Sequence, residues 1–500
     1  KITDYKDEAD FAEFLESEIK EIIKQEAQQE AEKNWVEHEF DQAKAYVEEK
    51  TREFAGRTEN QLKFQAFLKS QKHFLGISGK SGIGKSSLLS HLYGDVEHGL
   101  NKCFIACGIN SRSLTYRDVL LQINYFIDWC IDSNGAKINE DIISNFELED
   151  EIQSSIEEYN KKRGNKTILI FIDAVDKLSM FEGDGFAFLL KLNEGSKVKF
   201  IISQIDSFKI KSDNPRAQEL ELKELMENEQ FDILQRGIFP ANDRDFVVGR
   251  NRELLNLILS KKGVGSPLYL RTVIMILKMH MQGKNGHEPS RDELESRVAK
   301  MPESVMEICQ YAFEEADEYI GYNLYEKVIG LIAFSINGLR EAELEQLLGS
   351  EGWDQLDFIR FRQYLNDFFR MQSDGRWTFE HDLIKQSVCR MIKDNQVFKR
   401  KLVTLLNEYI AKTDDDSHAI RYETALREGF HLSMIMAVNG DKEGYRIADK
   451  LCGLCSKVEP DMQLRGTIAR TIDNLLQNGD NFLSAEQVKE WYEILAMDHS

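Results

Sequence analysis

Eight consecutive residues, Gly79-Lys80-Ser81-Gly82-Ile83-Gly84-Lys85-Ser86, follow the pattern GxxxxGK[ST]. Glycines at that spacing let the backbone curl until successive N–H groups converge on one anion. A helix N-terminus just behind them adds partial positive charge. The chemistry is phosphate binding: Lys85 would reach the β- and γ-phosphates of a nucleoside triphosphate, the Ser86 hydroxyl would ligate Mg2+, and Ser87 would lie in the first helical turn. A second candidate group is Asp173-Ala174-Val175-Asp176, directly after the apolar run 167–172. A carboxylate at the C-terminal end of a buried strand beside a phosphate loop holds Mg2+ through its water shell, which is the expected role of Asp173. Asp176 reads first as a cap for the next turn, with a second reading as the group that orients an attacking water. Position 174 is Ala, where fast P-loop ATPases often carry Glu, so slow turnover is expected. Ser203-Gln204 ends another apolar run and reads equally as a γ-phosphate sensor or as a solvated strand end.

Those residues need a scaffold, and the flanking pattern supplies one. Residues 73–78 form a short apolar strand before the loop, and 87–92 open a helix after it. Further strands are expected over 102–107, 167–172 and 199–203, with helices over 114–130 and 148–161. Such alternation predicts an α/β fold, a parallel sheet covered by helices, from about 54 to 210. Residues 7–50 lack Gly and Pro and carry apolar residues at helical spacing, among them Phe11, Leu15, Ile19, Trp35, Tyr46 and Val47. They predict an amphipathic helix, broken once near 30–34, that packs on the sheet domain or links to something upstream. After 210 helical periodicity dominates.

Composition narrows the class. Five hundred residues imply about three or four domains. A net charge of −22 disfavours broad nucleic-acid binding, which favours a basic face. No apolar run approaches the roughly 20 residues that cross a bilayer, and no secretory leader opens the chain. Seven scattered cysteines fit a reducing, cytoplasmic setting, and the lone Cys452–Cys455 pair reads as helix packing. The chain opens at Lys1 within an acidic helical pattern and is expected to be a fragment of a longer protein.

Several ordered motifs over about 50–450 resemble the STAND class of signalling ATPases, which includes the NACHT and NB-ARC families. Phe54-Ala55-Gly56-Arg57-Thr58-Glu59 is similar to the motif that precedes the first strand in that class, and Asp173–Asp176 to its Walker B segment. Gly265-Ser266-Pro267-Leu268 resembles the GxP motif, whose proline packs near adenine. Residues 331–348 look like the start of a winged helix. Phe379-Glu380-His381-Asp382 resembles the MHD motif, whose histidine contacts the β-phosphate of bound ADP. Residues 421–432 and 439–441 look like the helical region that follows in telomerase-associated-protein-like NACHT proteins, a subtype shared by bacterial antiviral STAND proteins. Two positions depart from the pattern: Gln204 stands where NB-ARC proteins usually carry Arg, and Glu380 replaces the MHD methionine.

The resemblance implies a linker helix (1–53), a P-loop domain (54–210), a helical domain (211–318), a winged helix (319–395) and the start of TPR-like helical repeats (396–500). It implies an ATP/ADP switch with Mg2+, in which Arg57, Ser203, Pro267 and His381 join the loop around the nucleotide. ADP would hold the resting state. A protein ligand on the C-terminal repeats would favour ATP and a homo-oligomer that activates an N-terminal effector in antiviral or innate immune defence. Two rivals stand beside it: a winged-helix AAA+ motor or loader acting on nucleic acid, and a scaffold that binds nucleotide only to fold.

Overall fold

The computed structural model describes residues 33–411 apart from 53, 97–99, 109–112, 114–115, 140–143, 163–165, 179–185, 187, 190–195, 205–214, 239–251, 282–288, 322–323, 336–337 and 373–374, together with Gly429 and Arg446. The helix expected before residue 33, the motif at 439–441, all but Gly429 of the motif at 421–432, and the Cys452–Cys455 pair lie outside the described residues.

The sheet follows from a period of two in its strands. In β3 (Ile168–Asp173) the side chains of Ile168, Ile170 and Ile172 enter one apolar cluster, and those of Leu169 and Phe171 another. The first cluster is closed by α4 (Tyr116–Ile131) and α5 (Asn145–Lys162); the second by α2 (Thr58–Lys69) and α3 (Lys85–Asp95). Strands β1 (Phe74–Ser78), β2 (Asn101–Ala106), β4 (Val198–Ser203) and β5 (Ala217–Glu221) complete a parallel sheet in the order β2-β3-β4-β1-β5. That order, with the phosphate loop between β1 and α3, is the fold of a P-loop NTPase. Strand β5 escapes sequence reasoning because only Leu220 of Ala217-Gln218-Glu219-Leu220-Glu221 is buried, leaving no apolar alternation to detect.

Helix α1 (Trp35–Thr51) begins where the sequence breaks. Asn34 Oδ1 accepts from the Glu37 amide (3.1 Å), and the Glu37 carboxylate accepts from the Asn34 amide (3.0 Å), a reciprocal cap. The helix touches both apolar clusters: Trp35 and Phe40 pack on one, Ala43 and Val47 belong to the other. Because those clusters lie on opposite faces of the sheet, α1 must run over its β2 edge.

Beyond the sheet come α6 (Glu227–Ile238), α7 (Arg252–Leu259), α8 (Pro267–Met281), α9 (Arg291–Lys300) and α10 (Val305–Ile320). Then follow α11 (Tyr325–Phe334), α12 (Glu341–Leu348), α13 (Gln355–Tyr364), the hairpin β6–β7 (Phe369–Met371 with Trp377–Phe379), α14 (Asp382–Met391) and α15 (Gln396–Ala411). One apolar core joins them from Leu225 to Leu405. At its centre the Phe313 ring of α10 meets Phe368, Phe379 and Phe361 at centroid distances of 5.1, 6.1 and 6.4 Å. This aromatic packing ties the helices after β5 to the hairpin unit, so the two present a common face to the loop.

Candidate functional site

The loop between β1 and α3 takes the backbone shape that its glycines permit. Gly82 (φ 79°) and Gly84 (φ 92°) are left-handed, a region costly to residues with a Cβ. Space is also short. A Cβ at Gly82 would lie 3.1 Å from Leu383 Cδ1 of α14, and one at Gly84 would lie 3.4 Å from Pro267 Cγ at the start of α8. Two elements from the C-terminal half are therefore seated on the loop. Lys85 Nζ donates to the carbonyls of Gly79 (2.6 Å) and Lys80 (3.1 Å), so the ammonium is parked on the loop's own backbone.

A cleft of about 1060 Å3, solvent mouth included, opens over the loop. Ser81, Gly82, Gly84, Lys85, Ser86 and Ser87 form its floor. Asp176 and Ser203 reach it from the ends of the strands, Pro267 and Arg271 from α8, and Arg370, Glu380 and His381 from the hairpin unit. Gly79 and Asp173 lie beneath it, and Ile83 faces a smaller neighbouring space.

Asp173 is 1% exposed and held at both oxygens. Oδ2 accepts from Tyr46 Oη (2.8 Å), and Oδ1 accepts from Ser203 Oγ, which itself accepts from the Ala174 amide (2.8 Å). Ala174 is left-handed (φ 56°, ψ 47°), a strain on the order of 1 kcal/mol that places the next turn, Val175–Lys177, against the cleft. Burial raises the Asp176 pKa, with Lys85 and Lys177 opposing. The Ser86 side chain lies near the same hydroxyl, opposing the rise that burial gives the Tyr46 pKa. Ser86 and Asp173 therefore both neighbour the Tyr46 hydroxyl. Among the described residues no cluster of three His, Cys, Asp or Glu could hold a metal with protein ligands alone. A hydroxyl and one carboxylate suit a hard cation that keeps water and borrows phosphate oxygens, the habit of Mg2+.

The far wall is cationic. His381 caps α14, its Nδ1 accepting from the Leu383 amide (3.1 Å). Burial pushes its pKa down to about 4, helped by Lys177, Lys50 and Lys85. Lys50, at the end of α1, is pushed down to about 8 by burial, with Arg271, Arg370 and Lys177 adding to the shift. Two bases on separate elements are thus depressed first by burial and then by the same group of neighbouring cations. Acidic partners hold the cations in place: Lys50 pairs with Glu380, Arg370 Nε lies 3.8 Å from Glu380, and Arg271 Nε lies 3.7 Å from Asp367.

Arg57 stands at the back of the phosphate loop and on the wall of a smaller space beside it. Its guanidinium donates to the carbonyls of Lys223 (2.6 Å) and Ile83 (2.9 Å), and its amide donates to Glu229. It braces the phosphate loop from behind. Beside it a smaller space of about 520 Å3 is walled by Phe54, Ala55, Ile83, Leu225 and Pro267. Gln204 is buried, its amide bonded to the Ile77 carbonyl (2.9 Å), and it lines neither space.

Four cleft residues were not singled out for chemistry in the sequence. Arg271 had a signal, since it lies four positions after Pro267 and so on the same helical face. Lys50 and Arg370 had none. Tyr46 was misplaced by its own pattern, because an aromatic residue in an amphipathic stripe reads as packing.

No protein-family model matches the chain, and no curated protein matches it. Among solved structures, a STAND protein with a tetratricopeptide repeat sensor from Pyrococcus horikoshii is similar, with 15% identity and a TM-score of 0.42 over 89% of this chain. This chain spans 59% of that protein's length. The RuvB Holliday junction branch migration motor of Thermotoga maritima aligns with 67% of this chain, at 13% identity and a TM-score of 0.30.

Proposed function

We propose that the chain is the nucleotide-binding part of a STAND-class signalling switch of the NACHT/NB-ARC kind. One observation carries this reading: Pro267 of α8 and Leu383 of α14 both press on phosphate-loop glycines, with His381 in the same cleft. A nucleotide held there touches both halves of the molecule at once, so its phosphate content can set how they pack. The cationic side chains Lys50, Lys85, Lys177, Arg271 and Arg370 around the cleft suit a polyphosphate, and the largely apolar slot between Phe54 and Pro267 suits a purine ring. The hairpin unit acts as a winged helix that closes on diphosphate through neutral His381. Mg2+, held from Ser86 and Asp173, would supply charge neutralisation between the β- and γ-phosphates. Asp176 orients water slowly, since Ala174 offers no carboxylate. Activation by a protein ligand, self-assembly and coupling to a defence effector complete the proposed cycle.

The test is the nucleotide content of the purified chain, released by denaturation and resolved by chromatography. Stoichiometric ADP that survives gel filtration is expected. An empty site with rapid ATP turnover would favour the motor reading instead. Lys85→Ala should weaken triphosphate binding by about 10- to 100-fold, the worth of a charged hydrogen bond in a cleft. Unchanged affinity in a titration would sink the site assignment.

A further inference from the structure

Helix α1 does more than cover the sheet. Tyr46 Oη lies beside both proposed cation holders, donating to Asp173 Oδ2 at 2.8 Å with the Ser86 side chain nearby. Four residues on, Lys50 pairs with Glu380 of the hairpin unit, and its ammonium sits 5.2 Å from the Tyr46 ring centroid. Both contacts belong to the C-terminal end of α1. The opposite end is pinned elsewhere, by the Asn34 side-chain amide on Tyr125 Oη (2.9 Å) and by Phe40 against Phe126.

We propose that Tyr46 is a plug in the cation position and α1 a lever: Mg2+ can bridge Ser86 and Asp173 only after the Tyr46 hydroxyl withdraws, and the same swing breaks the Lys50–Glu380 contact. The inference rests on the nucleotide-switch reading and adds its gate. A phenol and an octahedral cation cannot share one position, and both Asp173 oxygens already have a protein donor, Tyr46 on one and Ser203 on the other. Withdrawal costs a hydrogen bond to a carboxylate, so the metal binds the plugged site more weakly than it would an open one by that margin. Arrival of the metal at the loop is thereby linked to release of the hairpin unit some 330 residues along the chain, through one helix.

The experiment measures binding of a fluorescent ATP analogue to the full chain while Mg2+ is titrated, for the native protein and for Tyr46→Phe. Phenylalanine keeps the ring contact with Phe104 and removes only the hydroxyl. The Mg2+ half-saturation point should fall by about 3- to 10-fold in the variant. A half-saturation point that stays the same or rises overturns the plug while leaving the nucleotide reading intact. A chain that binds no nucleotide with or without metal overturns both. On the native chain, amide exchange over residues 43–51 should quicken when Mg2+ and a non-hydrolysable triphosphate are added together, and slow again with EDTA. Unchanged exchange despite metal-dependent binding also overturns the lever.

Discussion

His381 illustrates how a single side chain can be legible by type and illegible by state. Its position beside Asp382 marks it as a phosphate contact by resemblance, yet its charge depends first on burial and then on lysines from three distant stretches of chain. With a folded pKa near 4 against an ordinary 6.5, the native form binds fewer protons than the unfolded chain between those values. Its contribution to stability is therefore complete above about pH 6.5 and is lost as pH falls towards 4, by up to about 3 kcal/mol. His381→Asn keeps a cap acceptor for α14 and removes the titration. Urea midpoints measured from pH 7 to 4 should fall more steeply for the native chain than for this variant, and parallel profiles would contradict the assignment. Arg57 shows a second task that its motif does not announce: a guanidinium that finds two backbone carbonyls at 2.6 and 2.9 Å braces the loop while lining the slot beside it.

Elements were readable where their burial is one-sided or complete, and unreadable where neighbours supply the stability. Strands β1 to β4 are apolar runs that any sheet core demands, and α4 and α5 have the matching helical periodicity. Strand β5 exists because β1 offers a free edge, with Phe74 opposite Ala217 and Ser78 opposite Glu221, so its sequence needs no apolar stripe of its own. The start of α1 was readable for a local reason, the Asn34–Glu37 reciprocal cap. Asn34→Ala should cost about 1 kcal/mol, read as faster amide exchange in the first turn of α1 with the sheet amides unaffected. Equal slowing or quickening across the whole chain would mean that the cap is coupled to global unfolding.

Across the whole molecule, a chain of net charge −22 keeps a cleft lined by Lys50, Lys85, Lys177, Arg271 and Arg370. The acidic exterior repels other polyanions while the cleft attracts one, so affinity for a nucleotide should fall with added salt less steeply than it would on an open basic surface. Closure over that cleft depends on small contacts at the loop glycines. Leu383→Asp places a carboxylate against Gly82 and should separate the hairpin unit from the sheet domain, increasing the radius of gyration in small-angle scattering. An unchanged radius would show that the aromatic core around Phe313 sets the arrangement by itself. The location of the cleft was legible from the loop motif, but its walls were not, because Arg271, Arg370 and Lys50 meet only after α1, α8 and the hairpin unit have converged.

The path of α1 over β2 has one more consequence, for solubility. An edge strand bares a row of amides and carbonyls that will pair with any extended chain. Strand β5 deters such pairing with Glu219 and Glu221, both exposed. Strand β2 has no such charge along Cys103-Phe104-Ile105-Ala106, all buried, and relies on the helix laid across it. Removing residues before 54 should therefore yield a protein that scatters light increasingly with concentration, even if its sheet still forms. Helix α1 is in that sense a built-in chaperone for β2, and whatever draws its far end away must leave the pinned end in place.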